Sequence, residues 1–218
     1  MKRFLIYTIM AVLAAGVAPA QENEKELLLT GDLSLFDVRG PVKEITGTPC
    51  NAMITPEGDY TVDVRFDRKG RITSYRHSDD KEFVPLDMKN DFNKRDKDGN
   101  IASYVGLFEI GIAGTLYDID GELVRYGFGL GNIDTYGSVT IIYNDRHDRI
   151  KAVADVMAFS YREVGGVWDE TVRTMDYTIT KRDSYGNWIE RQCAYMGSTT
   201  NETRVITYYD TVPKPSKR

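Results

Sequence analysis

The dominant pattern in the sequence is the alternation of apolar and polar residues in short runs. In residues 60–66 every second position is apolar, from Tyr60 to Phe66, and the positions between them are polar. Residues 175–180 alternate in the same way. A period of two indicates strands with one buried face. Beyond residue 21 no apolar period of 3.6 continues for about ten residues, so the pattern predicts an all-β chain without a long helix.

Between these runs the sequence repeats an Asp-x-x-Gly spacing. An Asp at the first position of a type I turn accepts hydrogen bonds from backbone N–H groups further along, and a Gly at the fourth adopts the left-handed conformation. Two antiparallel strands leave such a turn. The predicted turn residues are Asp37 and Gly40, Asp67 and Gly70, Asp96 and Gly99, Asp118 and Gly121, Asp183 and Gly186, with a degenerate copy at Asp145 and Asp148.

The spacing of these turns limits the architecture. Successive turn aspartates from Asp37 to Asp183 are separated by 30, 29, 22, 27 and 38 residues. Solenoids hold a fixed period, so we expect no stack of equal repeats. We predict a single antiparallel meander of hairpins that forms one large twisted sheet, with a curled or half-open shape as its expected variants. Gly165-Gly166 is a further two-residue hairpin signal.

The N-terminus predicts export. Lys2 and Arg3 precede an apolar run over residues 4–17, and the small residues 18–20 form an A-x-A cleavage site. This is the pattern of a secretory signal peptide, with an uncleaved short anchor as the alternative. We therefore divide the chain into a signal peptide (1–20), a lead-in segment (21–35), an antiparallel β domain (36–212) and a disordered tail (213–218). The product is expected in the periplasm, at the cell surface or outside the cell, with no transmembrane segment after cleavage.

Composition narrows the classes of partner and cofactor. A net charge of −5 argues against nucleic acid. Cys50 and Cys193 form either a disulfide, which an oxidising compartment favours, or two unrelated buried thiols. Two cysteines and two distant histidines do not suggest a metal site. The Asp-x-Asp-Gly segments place Gly at position four instead of the sixth position of a calcium loop, so the turn explains them without an ion. No cofactor motif is present, and we expect none.

The turn segments resemble a known repeat. Residues 117–123 resemble the Y-D-x-x-G-x-L core of the YD (RHS-type) repeat. Residues 66–72 resemble it with conservative replacements, Phe66 for Tyr and Ile72 for Leu. Residues 183–188 look like the D-x-x-G-N-W ending of small exported bacterial proteins of unassigned function. The resemblance implies an antiparallel strand-turn-strand sheet. The chain departs from the family in its irregular spacing, its few copies and its length, which is too short for the shell of large RHS proteins.

Aromatic residues are the candidates for ligand contact. Trp168, Tyr185, Trp188 and Tyr195 offer flat faces for stacking on sugar rings or on a protein, although strands also use aromatics to pack a buried face. We predict a non-enzymatic binding or interaction module of the bacterial envelope, with a glycan or another envelope protein as partner. We assign no catalytic residue. The alternative is a secreted glycan-acting hydrolase with a carboxylate pair. A pocket with two converging carboxylates would favour that enzyme, and an exposed aromatic strip would favour binding.

Overall fold

The computed structural model describes residues 30–49, 61–107, 111–118, 120–129, 135–162 and 165–210. The predicted signal peptide, most of the lead-in segment, Cys50 and the predicted tail lie outside these residues. Within them the chain forms one short helix, α1 (Gly31–Leu35), and fourteen strands. The strands are β1 (Val42–Pro49), β2 (Thr61–Phe66), β3 (Ile72–His77), β4 (Val84–Pro85), β5 (Lys94–Arg95), β6 (Ile101–Val105), β7 (Gly111–Tyr117), β8 (Leu123–Gly129), β9 (Thr135–Tyr143), β10 (Arg149–Arg162), β11 (Gly165–Arg182), β12 (Trp188–Tyr195), β13 (Ser198–Thr203) and β14 (Val205–Tyr208).

The strands confirm the all-β prediction and its antiparallel meander. In a nine-stranded sheet, β5 to β13 lie side by side in chain order. The meander is divided, however, because β1 to β4 belong to a second sheet, of five strands, in which the closing strand β14 pairs with β1. The division falls after β4, whose last residue is Pro85. Proline has no N–H to extend a ladder, so β4 is an edge strand.

Four of the predicted turns have the expected geometry. Gly70, Gly99, Gly121 and Gly186 have φ angles of 75°, 88°, 82° and 83°. In the third turn the Asp118 carboxylate accepts hydrogen bonds from the N–H groups of residues 120 and 122, at 3.0 and 2.8 Å. The N–H of Gly121 donates to the Asp118 carbonyl at 3.2 Å. The carboxylates of Asp67, Asp96 and Asp183 accept the same pair of hydrogen bonds.

The degenerate turn lies one residue earlier than predicted. Asn144, instead of Asp145, accepts the N–H groups of Arg146 and Asp148 on its side-chain oxygen, at 2.9 and 3.0 Å. The position equivalent to the turn glycine is therefore His147, with a φ of 61°, and not Asp148. An Asn amide oxygen accepts the same hydrogen bonds as an Asp carboxylate. The spacing of Asp145 and Asp148 therefore predicted the turn one residue too late.

The predicted first turn, Asp37 to Gly40, is wrong, because this segment ends α1 and no hairpin forms there. The N–H of Val38 donates to the Leu33 carbonyl at 3.2 Å and that of Asp37 donates to Ser34 at 3.1 Å. This is the Schellman arrangement of a helix C-terminus, in which the residue after the cap is left-handed. Asp37 has that conformation, with a φ of 53°.

The predicted lead-in segment ends in the centre of the fold. All five residues of α1 are buried, and the Thr30 side chain caps its first turn by accepting the N–H of Leu33. We call residues 30–39 the central segment. Its Asp32 accepts the N–H groups of Ile72 and Ile101, at 2.9 and 3.1 Å, and both carboxylate oxygens receive the guanidinium of Arg95.

The C-terminal half of the central segment contacts the other three hairpins. The N–H of Leu123 donates to the Ser34 hydroxyl at 2.6 Å, and the Arg149 guanidinium donates to the Ser34 carbonyl at 2.9 Å. The indole N–H of Trp188 donates to Asp37 at 2.9 Å. The contacting residue always lies two positions after the turn glycine, or after His147. Five hairpins thus attach to one short segment through equivalent positions.

The apolar core also surrounds the central segment. The core joins both sheets and α1, and the fully buried residues include Leu33, Ile45, Val64, Ile101 and Val139. Because this core lies on one face of the nine-stranded sheet, the opposite face is free to contact solvent. We call that opposite face the outer face.

Candidate functional site

The candidate site lies on the outer face, where strand register brings small and aromatic residues into rows. Directly paired residues of antiparallel strands share a face. One row runs from β6 to β11 and contains Val105, Gly111, Gly129, Tyr136, Met157 and Glu170. The row beside it contains Ser103, Ala113, Gly127, Ser138, Asp155 and Val172.

Small residues make the middle of these rows a groove floor. Gly111, Ala113, Gly127 and Gly129 occupy adjacent positions on β7 and β8. A Cβ added at Gly129 would meet nothing within 4 Å, so space above the sheet is open there. A Cβ at Gly111 would lie 3.7 Å from a methyl group of Val105, which places Val105 beside the floor. These glycines remove side chains where a ligand backbone or ring could approach the sheet.

A cavity of about 490 Å³ lies over this floor. On the β5 and β6 side it is bounded by Asp91, Phe92, Lys94, Ser103 and Val105. Phe92 and Val105 are among the exposed large hydrophobic residues of the protein, and Phe92 is 72% exposed. The groove therefore has an apolar wall with charged groups at its margin.

An aromatic cluster continues the groove on the other side. Tyr136 pairs with Gly129 of the floor and contacts Trp168, with ring centres 5.4 Å apart. Trp168 also contacts Phe159, at 5.1 Å. Trp168 and Tyr136 are 45% and 49% exposed. We call Tyr136, Phe159 and Trp168 the aromatic cluster.

The backbone next to this cluster leaves room for its rings. Gly165 and Gly166, predicted as a two-residue turn, instead begin β11 and pair with Arg162 and Tyr161. A Cβ on Gly166 would lie 1.7 Å from the Phe159 ring. The glycine is therefore needed for close approach, because it lets the Phe159 ring lie across the neighbouring strand.

The four aromatic residues singled out from the sequence are not brought together. Trp168 is in the aromatic cluster. Trp188 is 2% exposed, and its ring lies beneath the guanidinium groups of Arg191 and Arg204 at 4.0 and 3.5 Å. It cannot offer a face to a ligand. The prediction that Trp188 stacks on a ligand is therefore wrong. Trp188 is a core residue, because the alternation of β12 places its side chain on the inner face, against the central segment.

Tyr185 and Tyr195 also lie apart from the groove. Tyr185 is half-buried and stacks on Tyr208, with ring centres 4.1 Å apart. The Tyr208 hydroxyl hydrogen-bonds to Asp183, and burial together with this carboxylate raises the pKa of Tyr208. Tyr195 is half-buried and packs against the core. Neither ring contributes to the aromatic cluster.

A second, polar cavity of about 310 Å³ bears on the carboxylate-pair alternative. Asp37 and Asp148 both line it, but each already binds protein donors. Asp148 receives two hydrogen bonds from Arg182, at 2.8 and 2.7 Å, and Asp37 receives the Trp188 indole N–H. Both carboxylates are thus engaged by protein donors, and the arrangement does not favour an acid and base pair.

Three further observations concern the cysteine thiol, metal ligands and membrane spans among the residues that the structure describes. Cys193 is buried, which raises the pKa of its thiol to about 11, and its predicted partner Cys50 lies outside the described residues, so the disulfide stays a prediction. Within the described ranges no three His, Cys, Asp or Glu side chains are grouped to hold a metal ion. Among the same residues, no helix has the length and apolar character needed to cross a membrane.

Tyr136 and Phe159 were not among the residues predicted from the sequence, and neither was a row of glycines that extends across neighbouring strands. Gly127 and Gly129 are two positions apart, which puts them on one face of a strand. Together with the period-two pattern of β9, that spacing could have indicated a floor of small residues next to Tyr136. The register that aligns Gly129 with Tyr136 could not be predicted, because no Asp-x-x-Gly spacing falls within residues 130–134 between the two strands.

A comparison of the chain with models of known protein families and with curated proteins found no match to either. The YD-repeat resemblance therefore stays a prediction.

Proposed function

We propose that the protein is an exported, non-enzymatic binding module of the bacterial envelope, and that its ligand lies in the outer-face groove and stacks on the aromatic cluster. The observation that carries this proposal is the exposure of two touching aromatic residues, Trp168 and Tyr136, on an open sheet face. Contiguous exposed apolar surface costs free energy in solvent and commonly marks a binding site. The signal-peptide pattern of residues 1–20 supports export.

An extended saccharide is the ligand that the groove chemistry favours. Six strands from β6 to β11 cross the two rows, and at a strand spacing of about 4.8 Å they span roughly 24 Å. That length accommodates several sugar rings. Aromatic rings suit the apolar faces of sugars, and the hydroxyls of Ser103 and Ser138 and the carboxylates of Asp155 and Glu170 suit their hydroxyl groups. A protein segment is the alternative occupant.

A glycan array with matched variants tests the proposal. We expect the wild type to retain one class of glycan, and Trp168→Ala or Tyr136→Ala to weaken its binding by about tenfold or more, as removal of a central aromatic contact does. Val205→Ala is the control, because Val205 is also an apolar residue with an exposed side chain (64%), but it lies on the five-stranded sheet, away from the groove. It should bind like the wild type.

The same variants separate the two ligand classes. Retention of an envelope protein by the wild type but not by Trp168→Ala, with no glycan bound, would keep the groove and replace the sugar with a protein partner. Binding of any ligand at wild-type strength by both aromatic variants would overturn the proposal.

A further inference from the structure

The polar cavity is separate from the groove and has a different chemistry. It lies between the two hairpin turns at residues 144–147 and 183–186, and Arg39 of the central segment also lines it. Three arginines and a histidine line it: Arg39, Arg146, His147 and Arg182.

The acceptors around this cavity are already engaged. Asp148 binds Arg182 through both oxygens. Glu122 is 4% exposed, and its two oxygens bind Arg39 and His147, the latter at 3.3 Å to Nδ1. Asp37 accepts the Trp188 indole N–H. These carboxylates therefore position Arg39, Arg182 and His147, and each already accepts from a protein donor.

Donors, in contrast, remain available. Within the described ranges Arg39 donates through one terminal nitrogen only, to Glu122 and to the His147 carbonyl. Arg182 donates through both terminal nitrogens, to Asp148 and to the Gly186 carbonyl, and its Nε has no acceptor among the residues that the structure describes. Among the described residues the exposed Arg146 guanidinium has neither an ion-pair nor a hydrogen-bond partner, so its five N–H donors are available to a ligand. A cavity with spare donors and engaged acceptors fits a ligand that supplies acceptors.

His147 gives independent support. The equivalent position is glycine in the other four turns, with φ between 75° and 88°. His147 has a φ of 61°, a conformation that a residue with a Cβ adopts at a cost. Glycine would satisfy the turn without that cost. The imidazole, held by Glu122 at the cavity, is a side chain that the glycine of the other four turns cannot provide.

We propose that this polar cavity is a binding site for the oxyanion group of a small ligand, a carboxylate or a phosphate, held by Arg146, Arg39, Arg182 and His147. Charge-assisted hydrogen bonds from guanidinium groups are the strongest and most selective contacts for such groups. The chain as a whole has a net charge of −5, so general attraction of anions does not account for such binding.

Calorimetric titration and thermal unfolding with inorganic phosphate and with acetate, against chloride at equal ionic strength, test this site. We expect phosphate or acetate to bind and to raise the melting temperature beyond the chloride control. A response to acetate alone identifies a carboxylate site, and a response to phosphate alone identifies a phosphate site. Equal responses to all three salts would overturn the proposal.

Three variants link the response to the cavity. Arg146→Gln should weaken binding by about tenfold, the loss expected for one charge-assisted contact. Lys69→Gln is the matched control, because Lys69 holds the same third position in the turn from Asp67 to Gly70, and this variant should bind like the wild type. His147→Gly should raise the melting temperature of the free protein and still weaken anion binding. Wild-type binding by both Arg146→Gln and His147→Gly would contradict the site, whatever the outcome for the outer-face groove.

Discussion

At the scale of single residues, aspartate has two roles in this protein, and only one of them is visible in the sequence. The turn aspartates bind backbone groups two and four positions away, so a local spacing predicts them. Asp32 binds N–H groups that lie 40 and 69 positions away. No local pattern indicates such partners. Asn144 and Asp37 mark the limits of the local signal, because the first accepts the turn bonds without being an aspartate and the second has the spacing without the turn.

The role of Asp32 predicts a large effect on stability. Asp32→Ala removes the buried acceptor for two N–H groups and leaves the Arg95 guanidinium without its carboxylate. We expect the free energy of unfolding to fall by about 3–5 kcal/mol, as for breaking a buried ion pair. Asp32→Asn, which keeps one acceptor, should lose less. Urea unfolding measures both.

Asp120→Ala provides the control for this measurement. Asp120 is exposed and occupies the third position of a turn, and its backbone N–H donates to Asp118. Among the described residues its carboxylate has no hydrogen-bond or ion-pair partner. A surface change of this kind costs within about 0.5 kcal/mol. A loss for Asp32→Ala no larger than that of Asp120→Ala would show that the central segment does not hold the first two hairpins.

At the scale of elements, the hairpins are alike locally and differ in what they contact. Their turn chemistry could be predicted, and so could the strands that alternate. Helix α1 could not, because five residues are too few to show a 3.6 period and two of them are Gly31 and Asp32. Its capping by Thr30 and its burial stabilise it instead. Alternation also failed for Trp188, because a period of two defines two faces without saying which one the core covers.

The contact between hairpin and helix can be measured with a matched pair of glycines. Gly70 and Gly121 hold the same turn position with φ of 75° and 82°. A Cβ at Gly121 would meet nothing within 4 Å, whereas one at Gly70 would lie 2.8 Å from the buried Leu33 side chain. We expect Gly121→Ala to cost about 1–2 kcal/mol from the left-handed backbone alone. Gly70→Ala should cost clearly more in urea unfolding, and equal costs would contradict the packing of α1 against the first turn.

At the scale of the whole molecule, the central segment determines which sheet surface is free. Five hairpins from both sheets attach to it, so Trp188 and the core lie on the inner face of the nine-stranded sheet and the groove and the aromatic cluster lie on its outer face. The fold class and the antiparallel order could be predicted from alternation and turns. The division into two sheets and the groove could not, because both depend on register between strands that no single stretch of sequence contains.

The two tryptophans of the chain allow the most direct test of the binding surface. The indole N–H of Trp188 is buried and bonded to Asp37, and Trp168 is exposed at the groove. In an indole-labelled NMR titration with the ligand that the array identifies, we predict that the Trp168 signal shifts with saturation and the Trp188 signal stays in place. A saturating shift of the Trp188 signal, with the Trp168 signal unchanged, would contradict the outer-face groove as the binding site.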